Sequence, residues 1–272
     1  MVSRLSFVTL SFATAQMILA ATAQVATAQA VTPQNGFREE SRSPQASAVP
    51  PPKPVNIVTP EMRGDIFMAR KMYREAVEAY QEGPKNSAVI LNKTGIAYHQ
   101  LMEYNMAEKY YRLAIRTNPE YAEAINNLGT IHYARKSFRR AVTEYKKALR
   151  LAPNSASMWS NLGTGYFARR DYVRAWESWQ HALSLDPEVF ESRSTQGVLL
   201  QERSVEERAK FHYFLAKTYA KAGMNDRALL YIRKSIEEGF KERKRFSEEP
   251  EFAALKELPE FKQLLAMEPR VL

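Results

Sequence analysis

The sequence predicts an all-α solenoid of antiparallel helix pairs, about five repeats long and closed by a C-terminal helical cap. Three sets of residues recur every 34 positions and support this prediction. Small residues recur at Gly95, Gly129, Gly163 and at Ala107, Ala141, Ala175. Large residues recur at Leu91, Ile125, Trp159 and at Tyr111, Tyr145, Trp179, and proline closes each unit at Pro119, Pro153, Pro187. Self-similarity at this period is typical of helix–turn–helix arrays, whose units bury their apolar faces only by stacking.

The order of these residues resembles that of the tetratricopeptide repeat family. The family's repeat carries an aromatic residue, Leu-Gly, tyrosine, alanine, a second aromatic residue, alanine and proline, and this order recurs here in phase. The tyrosine slot is filled by Tyr98, His132 and Tyr166. The resemblance covers about Thr59 to Glu242 and implies a right-handed superhelical solenoid that binds protein partners. Together with the leader described next, it identifies a family member of the exported bacterial type.

Residues 1–23 have the features of a cleaved secretory signal peptide. Arg4 precedes an uncharged, mostly apolar stretch, and small-residue cleavage sites follow at 21–23 and 26–28. A mitochondrial transit peptide and an uncleaved membrane anchor are the alternatives, but the first would contain more arginines and the second a purer apolar run. We therefore expect an exported protein, periplasmic or secreted, with no transmembrane segment after cleavage.

Residues 24–58 are expected to form a proline-rich linker. Six prolines lie between positions 33 and 54 among glutamine, serine and alanine, with few large apolar groups. Such a segment cannot bury enough apolar surface to offset its ordering entropy, so we predict a disordered tether. A ligand for an aromatic groove on another protein is the alternative.

Repeats 1–4 are assigned to residues 59–187. The first repeat is degenerate and begins at Thr59-Pro60-Glu61, where a hydroxyl, a proline and an acid together favour a helix start. Gly64 and Gly95 are 31 residues apart, so this repeat is shorter than the others. The shortening is expected at Gly83-Pro84, because proline cannot continue the second helix.

The repeat phase breaks after Pro187. We interpret residues 188–207 as an irregular insertion and residues 208–242 as repeat 5. A new helix is expected to be capped by Ser204, with Glu207 completing a capping box. The alternative is another first helix from Phe190 to Gln201.

Residues 243–272 are predicted to cap the array with short helices. Two helices, one starting at Pro250 and the other at Pro259, would lay apolar groups over the last repeat, as solenoid ends require. The basic run from Lys241 to Arg245 before them is expected to be a solvated linker.

Composition and motifs argue against catalysis. The chain has no cysteine, which excludes disulfides, thiolate chemistry and cysteine–zinc sites. Its four histidines are not spaced to share a metal ion, and His132 is expected to be a packing residue. No phosphate-binding glycine loop, nucleophile elbow or zinc-protease motif is present. We therefore predict a protein that is not an enzyme and uses no cofactor and no metal.

Partner binding is predicted on the concave groove, the wall formed by the first helices. Transferring the family's architecture residue by residue places three ladders and two further asparagines there: Asn92, Asn126, Ser160; Ile96, Thr130, Thr164; His99, Tyr133, Phe167; and Asn127, Asn161. Exposed rings in register would anchor an extended peptide or a partner helix. The alternative is that the rings pack on each other or on the opposing helix. A clamp for a terminal carboxylate is not expected, because only Lys93 offers a cation nearby.

The chain has a formal net charge of +9. The sequence places a recurring group of its cations at the turns between paired helices. This basic edge consists of Arg135, Lys136, Arg139, Arg140, Arg169, Arg170 and Arg174, with Arg70, Lys71 and Arg74 in the first repeat. Its candidate partners are an acidic protein, anionic lipid headgroups and acidic wall polymers, and solubility is the simpler explanation. Nucleic acid is not expected, because the sequence shows no nucleic-acid-binding fold and export is predicted.

These features together predict a non-catalytic adaptor or scaffold of the cell envelope that binds a peptide or a partner helix in its concave groove. One alternative is a recruiting subunit of an envelope-modifying enzyme system. The other is a structural protein that self-associates through the ends of its solenoid.

Overall fold

The computed structural model describes residues 58–191 and 204–267. All regular secondary structure in these two ranges is helical. The helices are α1 (Pro60–Ala69), α2 (Tyr73–Glu82), α3 (Ala88–Gln100), α4 (Tyr104–Thr117), α5 (Ala122–Ala134), α6 (Phe138–Leu151), α7 (Ala156–Ala168), α8 (Tyr172–Leu185), α9 (Val205–Lys221), α10 (Asn225–Glu237), α11 (Lys244–Glu248) and α12 (Pro259–Ala266). A 3₁₀ helix, Pro250–Leu255, lies between the last two. The predicted signal peptide and all but the last residue of the predicted linker lie outside the described residues.

The first ten helices pair into five hairpins, α1 with α2 through α9 with α10. The second helix of each hairpin packs on the first helix of the next, and α5 also touches both α3 and α7. The first helices of the middle three hairpins therefore lie side by side and form one wall. This arrangement confirms the all-α array of helix pairs with a helical C-terminal cap.

In each of the first four hairpins, a glycine of the first helix packs against a large aromatic ring of the second helix. A methyl group added at Gly129 would lie 2.7 Å from two ring carbons of Tyr145. The equivalent pairs are Gly64 with Tyr80, Gly95 with Tyr111, and Gly163 with Trp179. All four rings are almost completely shielded from solvent. The glycine and ring slots recur together because each ring fills the space left by the missing side chain.

The turns that join the two helices of each hairpin share the same backbone geometry. The residue after the first helix's C-cap is left-handed at Met102 (φ 60°), Lys136 (φ 58°) and Arg170 (φ 62°), and glycine takes this slot in the fifth hairpin. The next amide donates to a carbonyl five residues back, as from Ser137 N to His132 O (2.8 Å). This is the Schellman helix ending, which satisfies carbonyls that the helix leaves unpaired.

The first hairpin is shortened in its second helix. Thr59 Oγ1 accepts a hydrogen bond from Met62 N (3.2 Å), which confirms the predicted helix start. Helix α2 has 10 residues where α4 has 14, and it ends next to Gly83. The shortening therefore lies at the predicted glycine–proline step.

The fifth hairpin begins earlier than its predicted boundary. Ser204 Oγ accepts a hydrogen bond from Glu207 N (3.2 Å) and caps α9, which starts at Val205, within the segment assigned to the insertion. The predicted repeat boundary at residue 208 is therefore three residues late. The alternative first helix from Phe190 to Gln201 falls mostly on residues 192–203, outside the described residues.

The C-terminal segment covers the last hairpin with apolar side chains. The 3₁₀ helix and α12 begin at Pro250 and Pro259, as predicted. Their buried side chains, with one from α11, are Phe246, Phe252, Leu255, Phe261 and Leu264. The ring of Tyr213 on α9 contacts the first two of these at 5.4 and 6.1 Å.

The basic run before this segment is not the solvated linker expected from the sequence. Its last two residues belong to α11, and the Arg245 guanidinium lies 4.5 Å from the centre of the Tyr213 ring. Arg245 also pairs with Glu242 (3.1 Å) and Glu249 (2.7 Å). The prediction is wrong here because arginine can cover an aromatic face while its charge stays paired, which composition alone does not reveal.

Candidate partner-binding surfaces

Hydrogen bonds between asparagines join the first helices of the middle hairpins. Asn127 Nδ2 donates to Asn92 Oδ1 (3.0 Å), and Asn161 Nδ2 donates to Asn126 Oδ1 (3.2 Å). Asn126 Nδ2 also lies 3.5 Å from Asn127 Oδ1, which links the two pairs. All four side chains are buried. We call these four residues the asparagine ladder.

The asparagine ladder corrects the predicted role of its members. They were expected to line an open groove, but their amides are buried and bond to one another between successive hairpins. Burying an amide is tolerated only when its donors and acceptors are paired, and residues 35 positions apart supply the pairing. These asparagines bond to one another in pairs and so link the successive first helices.

The two threonines predicted for the groove are also buried. Thr130 Oγ1 donates to the backbone oxygen of Asn127 (2.7 Å), and Thr164 Oγ1 donates to that of Ser160 (2.9 Å). Each hydroxyl is thus used within its own helix, as is common for threonine in helix interiors. Of the predicted groove residues, those that remain partly exposed are Ile96, His99, Tyr133 and Ser160.

The predicted strip of exposed rings is instead a set of rings packed against the opposing helix. His99 contacts Tyr104 (ring centres 5.7 Å apart), Tyr133 contacts Phe138 (5.2 Å), and Phe167 contacts Tyr172 (5.4 Å). Each partner is the ring five residues further along the chain. Ring packing on the opposing helix is therefore present at all three slots, while His99 and Tyr133 stay half-exposed.

Phe167 departs furthest from the prediction, since only 4% of it is exposed. Phe211 and Phe214 of α9 lie 5.5 and 6.2 Å from its ring centre and cover it. The sequence does not reveal this cover, because the repeat phase breaks between α8 and α9. Phe167 is a core residue at the junction of the fourth and fifth hairpins.

Charge on the wall is concentrated at its first-hairpin end. Lys93 Nζ lies 2.7 Å from both Glu61 Oε1 and Asp65 Oδ2. Burial alone would lower the pKa of Lys93, but the hydrogen bonds to the two carboxylates outweigh it and raise the pKa. Lys93, the cation that the sequence places nearest to a possible carboxylate clamp, is thus already paired with two carboxylates.

The basic edge lies where the sequence placed it, at the turns between paired helices, and it divides into paired and unpaired cations. Arg135 pairs with Glu108, and Arg174 pairs with Asp171. On the edge of the third and fourth hairpins, whose residues the structure describes, the exposed cations without an ion pair are Lys136, Arg139, Arg140, Arg169 and Arg170. These five form the surplus positive charge of the edge.

An open cavity of about 370 Å³ lies at this edge between the second and third hairpins. Its lining residues are Met102, Glu103, Tyr104, Asn105, Met106 and Arg135. A second open cavity, of about 460 Å³, lies between α4, α5 and α6, and Arg112, Ile115, Glu144 and Lys147 are among its lining residues. Neither cavity includes a residue of the asparagine ladder.

The structure also contains an ionic cluster that the repeat pattern of the sequence does not predict. Lys217 Nζ lies 3.0 Å from Glu249 Oε2, 3.4 Å from Glu251 Oε1 and 4.6 Å from the centre of the Trp176 ring. Tyr213 also donates to Glu249. The cluster joins α8, α9 and the 3₁₀ helix, and its members come from parts of the chain that share no repeat register.

His99 in the second hairpin and His132 in the third are packed among neighbouring side chains. Burial lowers the pKa of His99 and of His132, so both favour the neutral form. Within residues 58–191 and 204–267, no three His, Asp or Glu side chains are grouped to hold a metal ion. In the same residues no helix combines the length and apolar character needed to cross a bilayer.

Comparisons with known proteins agree with the repeat. Models of the tetratricopeptide repeat match residues 89–121 and 122–155. MamA (residues 41 to the end) from Desulfovibrio magneticus RS-1 is 20% identical, with 64% of this chain and 89% of that chain covered at a TM-score of 0.45. The second TPR domain of human RPAP3, in complex with an HSP70 peptide, is 23% identical, with 40% and 92% covered at a TM-score of 0.38. No curated protein matches the sequence.

The matched segments coincide with the structural hairpins. The first covers α3 from its second residue onward and all of α4, and the second contains α5 and α6. The first and fourth hairpins repeat the same glycine–ring packing, and the same turn recurs in these two and in the fifth. The chain therefore contains tetratricopeptide repeats, and its paired helices form a tetratricopeptide-repeat array.

Proposed function

We propose that this chain is a non-catalytic adaptor or scaffold of the cell envelope that binds a peptide or partner helix along its first-helix wall. The observation that carries the proposal is the construction of that wall. The asparagine ladder joins three successive first helices through buried amides, and a row of half-exposed side chains lies beside it. The row consists of Ile96, His99, Tyr133 and Ser160.

A wall of this kind suits a segment that is extended or helical. The half-exposed side chains lie on three adjacent first helices, and His99 and Tyr133 occupy equivalent positions on two of them, so a partner can contact successive helices. Because the buried ladder holds the helices in place, little further ordering is required when a partner binds. Tyr133 is the central aromatic side chain of the row and the first choice for an anchor.

Site-specific photocrosslinking tests this proposal. A benzophenone amino acid at position 133 is expected to capture a discrete partner in the cells that produce the protein. The same label at Lys146, an exposed position on α6 outside the wall, serves as the control. Equal capture from both positions, or none from position 133, would contradict binding at the wall.

The envelope location rests on the leader. Its thin positive start, apolar stretch and small-residue cleavage sites support export of a chain that then carries its repeats on a proline-rich tether. Cell fractionation and N-terminal sequencing of the mature protein test this part. A mature N-terminus shortly after residue 23 or 28 is expected, whereas an intact Met1 in a cytoplasmic fraction would contradict it.

Self-association through the first-hairpin end is a second candidate, favoured by exposed apolar side chains there. Met62 is 52% exposed and Ile66 is 43% exposed. Ile66 occupies the slot of Ile131 and Gly165, which are buried in later hairpins. Light scattering over a range of protein concentrations decides this point. A mass that rises with concentration and falls back in Met62→Ser/Ile66→Ser supports it, and a constant monomer mass removes it.

The recruiting-subunit alternative uses the same wall with a different partner. In that case the protein captured at position 133 would be an envelope enzyme, and its activity would depend on the adaptor. A structural partner without catalytic activity would favour the simple scaffold.

A further inference from the structure

We propose that the turn edge of the second to fourth hairpins binds the surface of an anionic lipid bilayer. The turn edge is defined here as residues 102–106, 135–140 and 169–174. It is separate from the first-helix wall, so the inference goes beyond the proposed function. Two independent features of this edge carry it.

The first feature is a surplus of unpaired positive charge. The two paired cations, Arg135 and Arg174, use the carboxylates of Glu108 and Asp171. Within residues 102–106, 135–140 and 169–174, Glu103 is the remaining acid. Against it stand the five exposed cations that make no ion pair within the described residues: Lys136, Arg139, Arg140, Arg169 and Arg170. A cation near an anionic leaflet gains attraction that an isolated surface charge in water does not.

The second feature is the exposure of apolar side chains among these cations. Met102 is 70% exposed and Val173 is 67% exposed. These are the two most exposed large hydrophobic side chains in the part of the chain that the structure describes, and both lie on the turn edge.

The repeat shows that these apolar residues replace cations. Met102 occupies the left-handed turn position that Lys136 and Arg170 fill in the next two hairpins. Val173 occupies the position of Arg139, 34 residues earlier. The edge therefore presents cations and single apolar groups at equivalent points of successive hairpin tips.

This combination favours a bilayer over an acidic protein. Positive charge alone would suit either partner, and a protein interface would be expected to seal a contiguous apolar patch. Isolated apolar side chains at hairpin tips, surrounded by arginine and lysine, fit a headgroup layer in which the cations contact phosphates and the apolar groups enter the acyl boundary. We infer that Met102 and Val173 are the inserting side chains.

Vesicle sedimentation tests the electrostatic half of the inference. The full-length chain is mixed with phosphatidylcholine vesicles that contain or lack phosphatidylglycerol, so the apolar leader contributes equally to all variants. Arg139→Gln/Arg140→Gln is expected to lower partitioning onto anionic vesicles about 25-fold, taking roughly fivefold per cation. The control is Lys146→Gln/Arg150→Gln, which removes two exposed charges further along the same helix and is expected to change partitioning less than about threefold, because those charges are screened from the bilayer.

A fluorescent label tests insertion. Because the chain has no cysteine, Met102→Cys provides a unique attachment point for an environment-sensitive dye. A blue shift on adding anionic vesicles is expected at position 102 and not at a Lys146→Cys control. In addition, Met102→Ser/Val173→Ser should weaken anionic-vesicle binding while circular dichroism stays unchanged.

Several results would overturn the inference. One is equal binding to neutral and anionic vesicles, and another is equal loss in the two charge-pair variants. A third is the absence of a blue shift at position 102. Competition by soluble polyglutamate, with binding insensitive to Met102→Ser/Val173→Ser, would assign the edge to an acidic protein instead.

Discussion

Asn127 donates a hydrogen bond to Asn92 across the boundary between the second and third hairpins, with both amides buried and 3.0 Å between Nδ2 and Oδ1. Asn161 and Asn126 make the same contact one repeat later at 3.2 Å. These hydrogen bonds are buried between neighbouring hairpins, so they favour one relative position of each hairpin and the next. Stability and helix spacing should therefore depend on asparagines that resemble ligand-binding residues in the sequence.

Breaking one member of an asparagine pair should cost more than removing both. Asn161→Leu is expected to destabilise the array by about 1–3 kcal/mol, because the buried amide of Asn126 loses its partner. Adding Asn126→Leu should recover part of this loss, since no orphaned group then remains in that pair. Urea unfolding monitored by circular dichroism measures both. Simple addition of the two effects would argue against a direct coupling.

Filling a hairpin glycine should strain its ring contact. Gly129→Ala places a methyl group 2.7 Å from the Tyr145 ring and is expected to cost roughly 1–3 kcal/mol through overpacking. Glu177→Ala, at an exposed position on α8, should stay within about 0.5 kcal/mol of the unaltered protein. The free energies of unfolding of the two variants check this, and equal values would show that the tyrosine moves aside freely.

The left-handed turns offer a matched pair of opposite substitutions. Met102→Gly is expected to stabilise the protein by roughly 0.5–1 kcal/mol, because glycine adopts a φ of 60° without steric cost. Gly223→Ala should destabilise it by about 1 kcal/mol, since φ is 74° there although a methyl group would contact nothing within 4 Å. Thermal and urea unfolding test the signs. The same sign for both changes would exclude backbone strain as the cause.

Acid should weaken the attachment of the C-terminal segment through Glu249. Burial alone would raise the pKa of Glu249, but hydrogen bonds from Tyr213, Lys217 and Arg245 outweigh it and lower the pKa below its ordinary 4.5. A carboxyl with a depressed folded-state pKa stabilises fully above its unfolded pKa and loses that stabilisation as pH falls through the folded value.

We therefore expect the difference in stability between the unaltered protein and Glu249→Gln to be constant near neutral pH. It should shrink as the pH falls below about 4.5, because the carboxyl then becomes neutral in both states of the unaltered protein. Urea midpoints measured from pH 7 to pH 3 check this. A difference that does not change with pH would show that the charge of Glu249 does not stabilise the fold.

The hairpins themselves were readable from the sequence because their defining contacts are short in sequence and repeated. Gly129 meets Tyr145 only 16 residues later, and the same pair recurs in the neighbouring units. The turn cations follow from the same register, because a residue between two paired helices lies at a hairpin tip. Composition and period thus predicted the helix pairs, the close-packed slots and the location of the basic edge.

Tertiary structure alone decided which residues of the predicted wall are accessible. The asparagine pairs span 35 residues and depend on the distance between hairpins, which a repeat pattern does not encode. Phe167 is covered by α9, whose register relative to the fourth hairpin is set after the phase break. The sequence period specifies the contacts within each hairpin. Whether a residue on the outside of a hairpin is buried depends on which other segments of the chain pack against it.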